Sequence, residues 1–230
     1  KKSGVDSFVT SKISWNDTNM MPNDTFIWKG IDGSEIFTHF MTAQEMPKNG
    51  EIKNFTTYLP QGNASYVMGA WRRNHNKDIV DDALLTFGFG DGGGGPTSKD
   101  IEMLKRMEYG IPGCPTTEFS DSTEFLNEIK EQSESQLEKW VGELYFEYHR
   151  GTYTSQSEMK KNNRKCEFAL QNTELFSVVA DSLLNIDYPQ KKIEEMWKTV
   201  LTNQFHDILP GSAIKEVYET ANAEEKQIRE

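Results

Sequence analysis

Gln190-Lys191-Lys192-Ile193-Glu194-Glu195-Met196-Trp197-Lys198-Thr199-Val200-Leu201-Thr202-Asn203-Gln204-Phe205-His206-Asp207-Ile208-Leu209-Pro210-Gly211-Ser212 decides how the second half of this 230-residue chain folds. Ile193, Met196, Trp197, Val200, Leu201, Phe205 and Ile208 recur at intervals of three and four. That period predicts an amphipathic helix from Gln190 to about Leu209. Pro210-Gly211 ends it, and Ser212 can cap a further helix. On a wheel of about 100° per residue with Trp197 at zero, Val200, Leu201, Phe205 and Ile208 fall within about 80° and His206 near 180°. A core histidine would lie inside the apolar stripe; His206 does not, and faces solvent or a second domain. Asp207 flanks the stripe. Spacing alone leaves an exposed surface histidine and a ligand position both open.

Upstream, a second helix is expected from Ser157 to about Leu184, and Ser122 or Thr123 can cap another running to about Leu144. The back half therefore reads as a helical bundle. The first hundred residues read as mixed α/β. Val9 to Trp15 is a β-branched run, and Thr25 to Trp28 leads through Gly30-Ile31-Asp32-Gly33 into Glu35 to Phe40, a hairpin pattern. Tyr66 to Arg73 is ambiguous and Asp78 to Asp82 is placed to start a short helix. Ala83 to Phe87 is a short buried-strand candidate, and Ser98 to Glu108 a helix.

Composition narrows the function classes. A hydrophobic fraction of 36% and a charged fraction of 27% are those of a globular protein. No apolar run of about eighteen residues offers a membrane span, and the opening Lys1-Lys2-Ser3-Gly4-Val5-Asp6 has no apolar core of a signal peptide. A net charge of −11 argues against nucleic acid as partner, because such binding rests on neutralising phosphates. Nine acidic residues between Glu118 and Glu147 face only Lys130 and Lys139, the mark of a solvated face. Cys114 and Cys166 lie far apart and read as free thiols of a cytosolic protein. Asn16, Asn23, Asn54 and Asn63 each begin an Asn-x-Ser/Thr triplet, which chance also produces in polar loops.

Two further stretches carry chemistry. Gly88-Phe89-Gly90-Asp91-Gly92-Gly93-Gly94-Gly95-Pro96-Thr97 allows tight turns and close backbone approach to a ligand, with Asp91 its single carboxylate. Gly88-x-Gly90-x-x-Gly93 also matches the dinucleotide fingerprint, though no Lys-Ser/Thr of a phosphate loop follows. A structural loop, a carbohydrate loop and a nucleotide loop all stay open on composition. Glu147-Tyr148-His149-Arg150-Gly151-Thr152-Tyr153-Thr154-Ser155-Gln156 sets cationic and aromatic side chains around a glycine. Such a turn suits hydrogen bonds to sugar hydroxyls, and equally a domain junction in which Arg150 pairs with a carboxylate and Tyr153 packs.

These three stretches, in their order along the chain, resemble the signatures of the family-38 α-mannosidases, bacterial and cytosolic type. The stretch from Lys12 to Phe40 resembles the family's catalytic domain, so the resemblance spans nearly the whole chain. It implies that His206 is a zinc ligand, that Asp207 contacts the substrate sugar together with Arg150 and Tyr153, and that Asp91 lies in the sugar pocket or serves as acid/base. Phe205 stands where the Golgi branch has a histidine. The Golgi and lysosomal branches carry an acid/base aspartate a few residues upstream of the glycine matched by Gly151; the nearby carboxylate here is Glu147, at a different offset. The family's His-x-Asp motif does not occur among His39, His75, His149 and His206.

The resemblance further implies a fold: the C-terminal part of an α/β-barrel catalytic domain over residues 1–145, then a three-helix-bundle middle domain over 146–230, truncated. The implied function is part of a zinc-dependent retaining α-mannosidase acting on terminal α-linked mannose. One of four expected Zn2+ ligands is present and the nucleophile is not. The remaining ligands would lie upstream of Lys1 and a β-sandwich domain after Glu230, so the 230-residue chain alone is expected to be inactive. A mannose-containing oligosaccharide is the expected partner, without nucleic acid or membrane, in the cytoplasm; a homo-oligomeric full-length enzyme is left open. A helical module without chemistry and a dinucleotide-binding domain are the competing readings.

Overall fold

The computed structural model describes residues 1–49, 51 and 55–230. The chain divides into two compact units, Lys1–Tyr148 and His149–Glu230.

In the first unit, β2 (Thr25–Lys29) and β3 (Glu35–Phe40) form the expected hairpin, with Thr25 opposite His39 and Lys29 opposite Glu35. The Gly30 N–H donates to the Ser34 carbonyl to close its loop. β1 (Ser7–Thr10) lies parallel to β3, and β4 (Lys139–Val141) parallel to β2, giving an open sheet in the order β1-β3-β2-β4. The expected Val9–Trp15 strand thus stops at Thr10, and Lys12–Trp15 coils into a 3-10 turn. Trp15 explains the change: its indole N–H donates to the Thr56 carbonyl at 2.7 Å, which draws it off the strand line.

α1 (Ala64–Arg73) resolves the ambiguous stretch as a helix, capped by Asn63, whose side chain accepts from the Ser65 and Tyr66 N–H groups. α2 (Ser98–Met107) starts with a capping box between Thr97 and Asp100. These two helices bury Val67, Leu104 and Met107 together, with Leu85 and Phe87 packed alongside. α3 (Ser122–Ser133) covers the sheet through Leu126 and Ile129, which share a core with Ile27, Phe37, Val80 and Leu137.

Several expectations fail here for identifiable reasons. The cap of α3 is Asp121, not Ser122 or Thr123, because its carboxylate reaches the Thr123 and Glu124 N–H groups. The helix ends at Ser133 rather than near Leu144, since the chain must extend to pair Lys139–Val141 with β2. Ala83–Phe87 is irregular, half-buried chain without a strand partner, and Asp78–Asp82 forms no helix.

The second unit is the expected three-helix bundle. α4 (Ser157–Leu184) has the expected bounds and buries Met159, Cys166 and Leu170, α5 (Gln190–Asn203) follows its apolar period through Ile193 and Val200, and α6 (Lys215–Arg229) completes the bundle. One core joins Met159, Tyr218 and Ala221; another joins Cys166, Leu170 and Val200. Burying these side chains contributes on the order of 1.5–3 kcal/mol each for the larger ones. α5 ends six residues earlier than its apolar period suggests. Pro210 disfavours helical backbone at Leu209, and the chain from Phe205 onward tightens into i to i+3 bonds, such as Ile208 N–H to the Phe205 carbonyl at 2.9 Å. Phe205 thus lies past the helix and is exposed, and Leu201, still within α5, is exposed although the expected stripe includes it. Among the described residues no helix is long and apolar enough to cross a membrane.

Candidate functional site

The turn from Gln204 to Ala213 connects α5 to α6 and presents His206 and Asp207. The His206 side chain is 78% exposed and Asp207 is 59% exposed, with His206 Nε2 3.9 Å from Asp207 Oδ2. The His206 ring lies 4.2 Å from that of Phe205. His206 therefore occupies the outward position that the wheel assigns it, although on a turn and not on a helix.

An exposed connection of this length would ordinarily be mobile, yet this one is tied down at successive points. The Gln204 side-chain amide donates to Asn163 and Glu167 on α4. Lys160, also on α4, donates to the Leu209 carbonyl at 2.8 Å and to the Ser155 carbonyl. The Ser212 hydroxyl donates to Asp207 Oδ1 at 3.0 Å, so Ser212 orients that carboxylate and does not cap α6 as expected. Gly211, at φ +94°, packs on Ser155; a Cβ there would lie 2.7 Å from the Ser155 carbonyl oxygen. The stretch of Arg150, Gly151, Tyr153 and Ser155 thus meets the His206 turn within one unit.

Arg150 to Tyr153 forms a 3-10 turn, and the Arg150 guanidinium lies 5.1 Å from the centre of the Tyr153 ring. Tyr153 is exposed and does not pack into a core. His149 precedes the turn in left-handed backbone at φ +60°.

Asp91 lies in the first unit. Tyr58 Oη donates to Asp91 Oδ1 at 2.7 Å, a contact that raises the tyrosine above its ordinary pKa. The glycine loop is pressed onto the Tyr58-Leu59 segment: a Cβ on Gly90 would lie 1.8 Å from Leu59 Cδ2. A side chain at Gly90 would have to displace the end of the Leu59 side chain, whereas one at Gly95 would meet nothing. Residues 80–87, which lead directly into the loop, form no strand, so the strand-loop-helix context of a dinucleotide site is missing.

Glu147 has a different task from acid catalysis. Its carboxylate accepts from the N–H groups of Asn19, Asp17 and Thr18 and from the Asn19 amide. These bonds, the Asn19 N–H foremost, hold it down to about 2, so it stays ionised and is a poor proton donor at neutral pH. Asn16, beside it, is buried and donates to the Asn19 and Tyr145 carbonyls. Asn16, Asn23 and Asn63 all spend their side-chain amides on internal bonds, and Asn54 lies outside the described residues.

Sequence reasoning missed two features. One is a cavity of about 380 Å3 in the first unit between α1, α2 and α3, lined by Trp71, Asp81, Asp82, Phe119 and Glu128 among others. Burial, with Asp81 and Glu118 nearby, raises the Asp82 carboxyl above its usual range. The other is Tyr218, which a helical apolar period marks only as core.

The donor chemistry of the His206 turn fits one position of a zinc site and no more. An exposed imidazole is a standard zinc ligand, but among the described residues no group of three or more His, Cys, Asp and Glu side chains could hold a metal ion.

With this geometry in view, the comparisons assign the class. Residues 1–143 match the family described as "Glycosyl hydrolases family 38 N-terminal domain", and residues 147–230 match "Alpha mannosidase middle domain". The chain belongs to glycosyl hydrolase family 38. It is similar to "Alpha-mannosidase G" of Dictyostelium discoideum, at 41% identity over 94% of this chain and 18% of that protein. It is also similar to "Alpha-mannosidase 2C1" of Homo sapiens, at 37% identity over 98% of this chain and 20% of that protein. The chain therefore spans about a fifth of the length of these relatives. An α-mannosidase from Enterococcus faecalis V583 shares the fold, with a TM-score of 0.65 and 18% identity over 97% of this chain and 25% of that one.

Proposed function

We propose that this chain is part of a zinc-dependent retaining α-mannosidase that removes terminal α-linked mannose from oligosaccharides. The observation that carries the reading is the exposed His206-Asp207 pair on a turn fastened to α4 and α6, in a chain of family 38. Pre-organisation of exposed polar groups favours ligand binding over mere solvation. Residues 1–145 are read as the C-terminal part of the catalytic domain and 146–230 as the middle domain.

His206 would hold zinc through an imidazole nitrogen, and zinc when bound supplies a Lewis acid for the vicinal hydroxyls of mannose. Asp207 accepts from a sugar hydroxyl, with the Ser212 hydroxyl fixing which carboxylate oxygen is left for it. Arg150 and Tyr153 offer a guanidinium donor and an apolar ring face of the kind a sugar ring stacks on. A retaining glycosidase needs two carboxyl groups roughly 5 Å apart; Asp91 is the candidate for acid/base or sugar binding, and the nucleophile is not assigned to this chain. The partner is a mannose-containing oligosaccharide, not nucleic acid or a membrane. The unpaired Cys114 and Cys166 support a cytoplasmic location, and a homo-oligomeric enzyme is compatible with the reading.

In the full-length protein, His206→Ala should abolish turnover of p-nitrophenyl α-mannoside and bound zinc together. Full zinc occupancy in that variant sinks the ligand assignment. Asp91→Asn separates the two roles of Asp91: loss of the basic limb of the pH-rate profile marks the acid/base, and a raised KM alone marks sugar binding.

A further inference from the structure

We propose that Tyr218 is a positioning residue that holds the His206-Asp207 turn in place through its phenol hydroxyl, an inference that rests on the role proposed above for that turn. Tyr218 sits on α6, is 6% exposed, and packs with Met159 and Ala221, with Ile208 and Ala213 of the turn beside it. Burial of the ring needs no hydroxyl. The hydroxyl nevertheless makes two bonds, both to the backbone of the turn. It accepts from the Ala213 N–H at 2.8 Å and donates to the Asp207 carbonyl at 3.2 Å.

One oxygen therefore joins the residue that carries the carboxylate to the residue where the turn ends. Ile214, the N-cap of α6, gives no side-chain bond to the helix start, so this bridge is what closes the entry to α6. Without it the Ala213 N–H loses its partner, and the Asp207 carbonyl keeps only the Ser212 N–H at 3.2 Å. The other ties on the turn, from Gln204 and Lys160, reach α4. Tyr218 is thus what registers the turn against α6, and loosening one end of an exposed turn displaces the groups at its tip. Misplacing a substrate-orienting group by about 1 Å can cost on the order of 100-fold in rate.

The test uses the full-length protein with Tyr218→Phe, which keeps the ring and removes only the hydroxyl, and with Ile228→Val as a core variant of α6 remote from the turn. For Tyr218→Phe we expect kcat/KM for p-nitrophenyl α-mannoside to fall about tenfold or more. Amide exchange at Ala213 should quicken by a similar factor. Ile228→Val should lower the melting temperature at least as much while leaving kcat/KM within about twofold. Equal losses of kcat/KM in both variants would mean general destabilisation and overturn the inference. So would unchanged activity and unchanged exchange at Ala213 in Tyr218→Phe. If His206→Ala keeps its activity, the function reading fails, and the exchange at Ala213 alone then decides whether Tyr218 holds the turn.

Discussion

Gly211 lies against Ser155 so closely that a Cβ on Gly211 would stand 2.7 Å from both the Cβ and the carbonyl oxygen of Ser155. That contact joins two segments more than fifty positions apart, one after the Arg150–Tyr153 turn and one after the His206-Asp207 pair. Lys160 makes the same link by donating to both the Ser155 and Leu209 carbonyls. The two stretches that stand out in the sequence of this unit are therefore one structural assembly.

Gly211→Ala tests that contact. The backbone there is at φ +94°, where an L side chain is strained, and the added carbon runs into main chain. Both effects act in the same direction. Denaturant unfolding should show a loss of about 2 kcal/mol. Unchanged stability would mean that the two segments do not pack this tightly.

The pH dependence of the bundle follows from Glu225. Its side chain is 1% exposed and one carboxylate oxygen has no hydrogen-bond partner. Burial pushes its pKa up from 4.5 to about 7; Arg229 and the Asn162 amide pull it down, and Glu224 and Glu158 push it up. Folding thus favours the protonated form. Its stabilising contribution is full below about 4.5, declines as pH rises toward 7, and is gone above that. Glu225→Gln imitates the protonated acid. It should raise stability at pH 8 by roughly 1–2 kcal/mol and change little at pH 4. A variant equally stabilised at both pH values would show that the carboxyl does not titrate in this window.

What the sequence discloses and what it hides divide along physical lines. α2 is legible because its period and its capping box of Thr97 and Asp100 are local. β4 is not, because three residues on a sheet edge become a strand only by pairing with Ile27–Lys29. The helix of α1 is obscured by Gly69, which is there because the Gln44 carbonyl approaches within 1.8 Å of where a Cβ would be. In the candidate site, the exposure of His206 can be read from a wheel. Tyr218 cannot, since its position on α6 reads as core and the partners of its hydroxyl appear only when the turn folds back.

Glu147→Gln examines the other unit. The charge of Glu147 is stabilised by the N–H groups of Asn19, Asp17 and Thr18, which depresses its pKa from 4.5 to about 2. Stability from this source is present above about 4.5 and is lost as pH falls toward 2. The amide variant should lose stability at pH 7 and show a shallower fall on acidification. Hydrogen exchange at the Asp17, Thr18 and Asn19 amides should quicken at pH 7 in the variant. Protection equal to the unsubstituted protein would show that the carboxylate does not hold this segment.

Metal binding by the 230-residue chain alone is the last expectation. His206 presents one exposed imidazole, Asp207 stands 3.9 Å from it, and no third donor joins them among the described residues. Tight zinc sites take about four ligands, three of them from protein even where catalysis needs an open position. Two solvated donors leave zinc mostly in water. Equilibrium dialysis should therefore find only weak zinc binding by this chain, further reduced by His206→Ala, and assays with p-nitrophenyl α-mannoside should find no turnover. Stoichiometric zinc that survives dialysis, or robust hydrolysis, would mean that the chain closes a metal site by itself and that His206 is not one ligand of a set completed elsewhere.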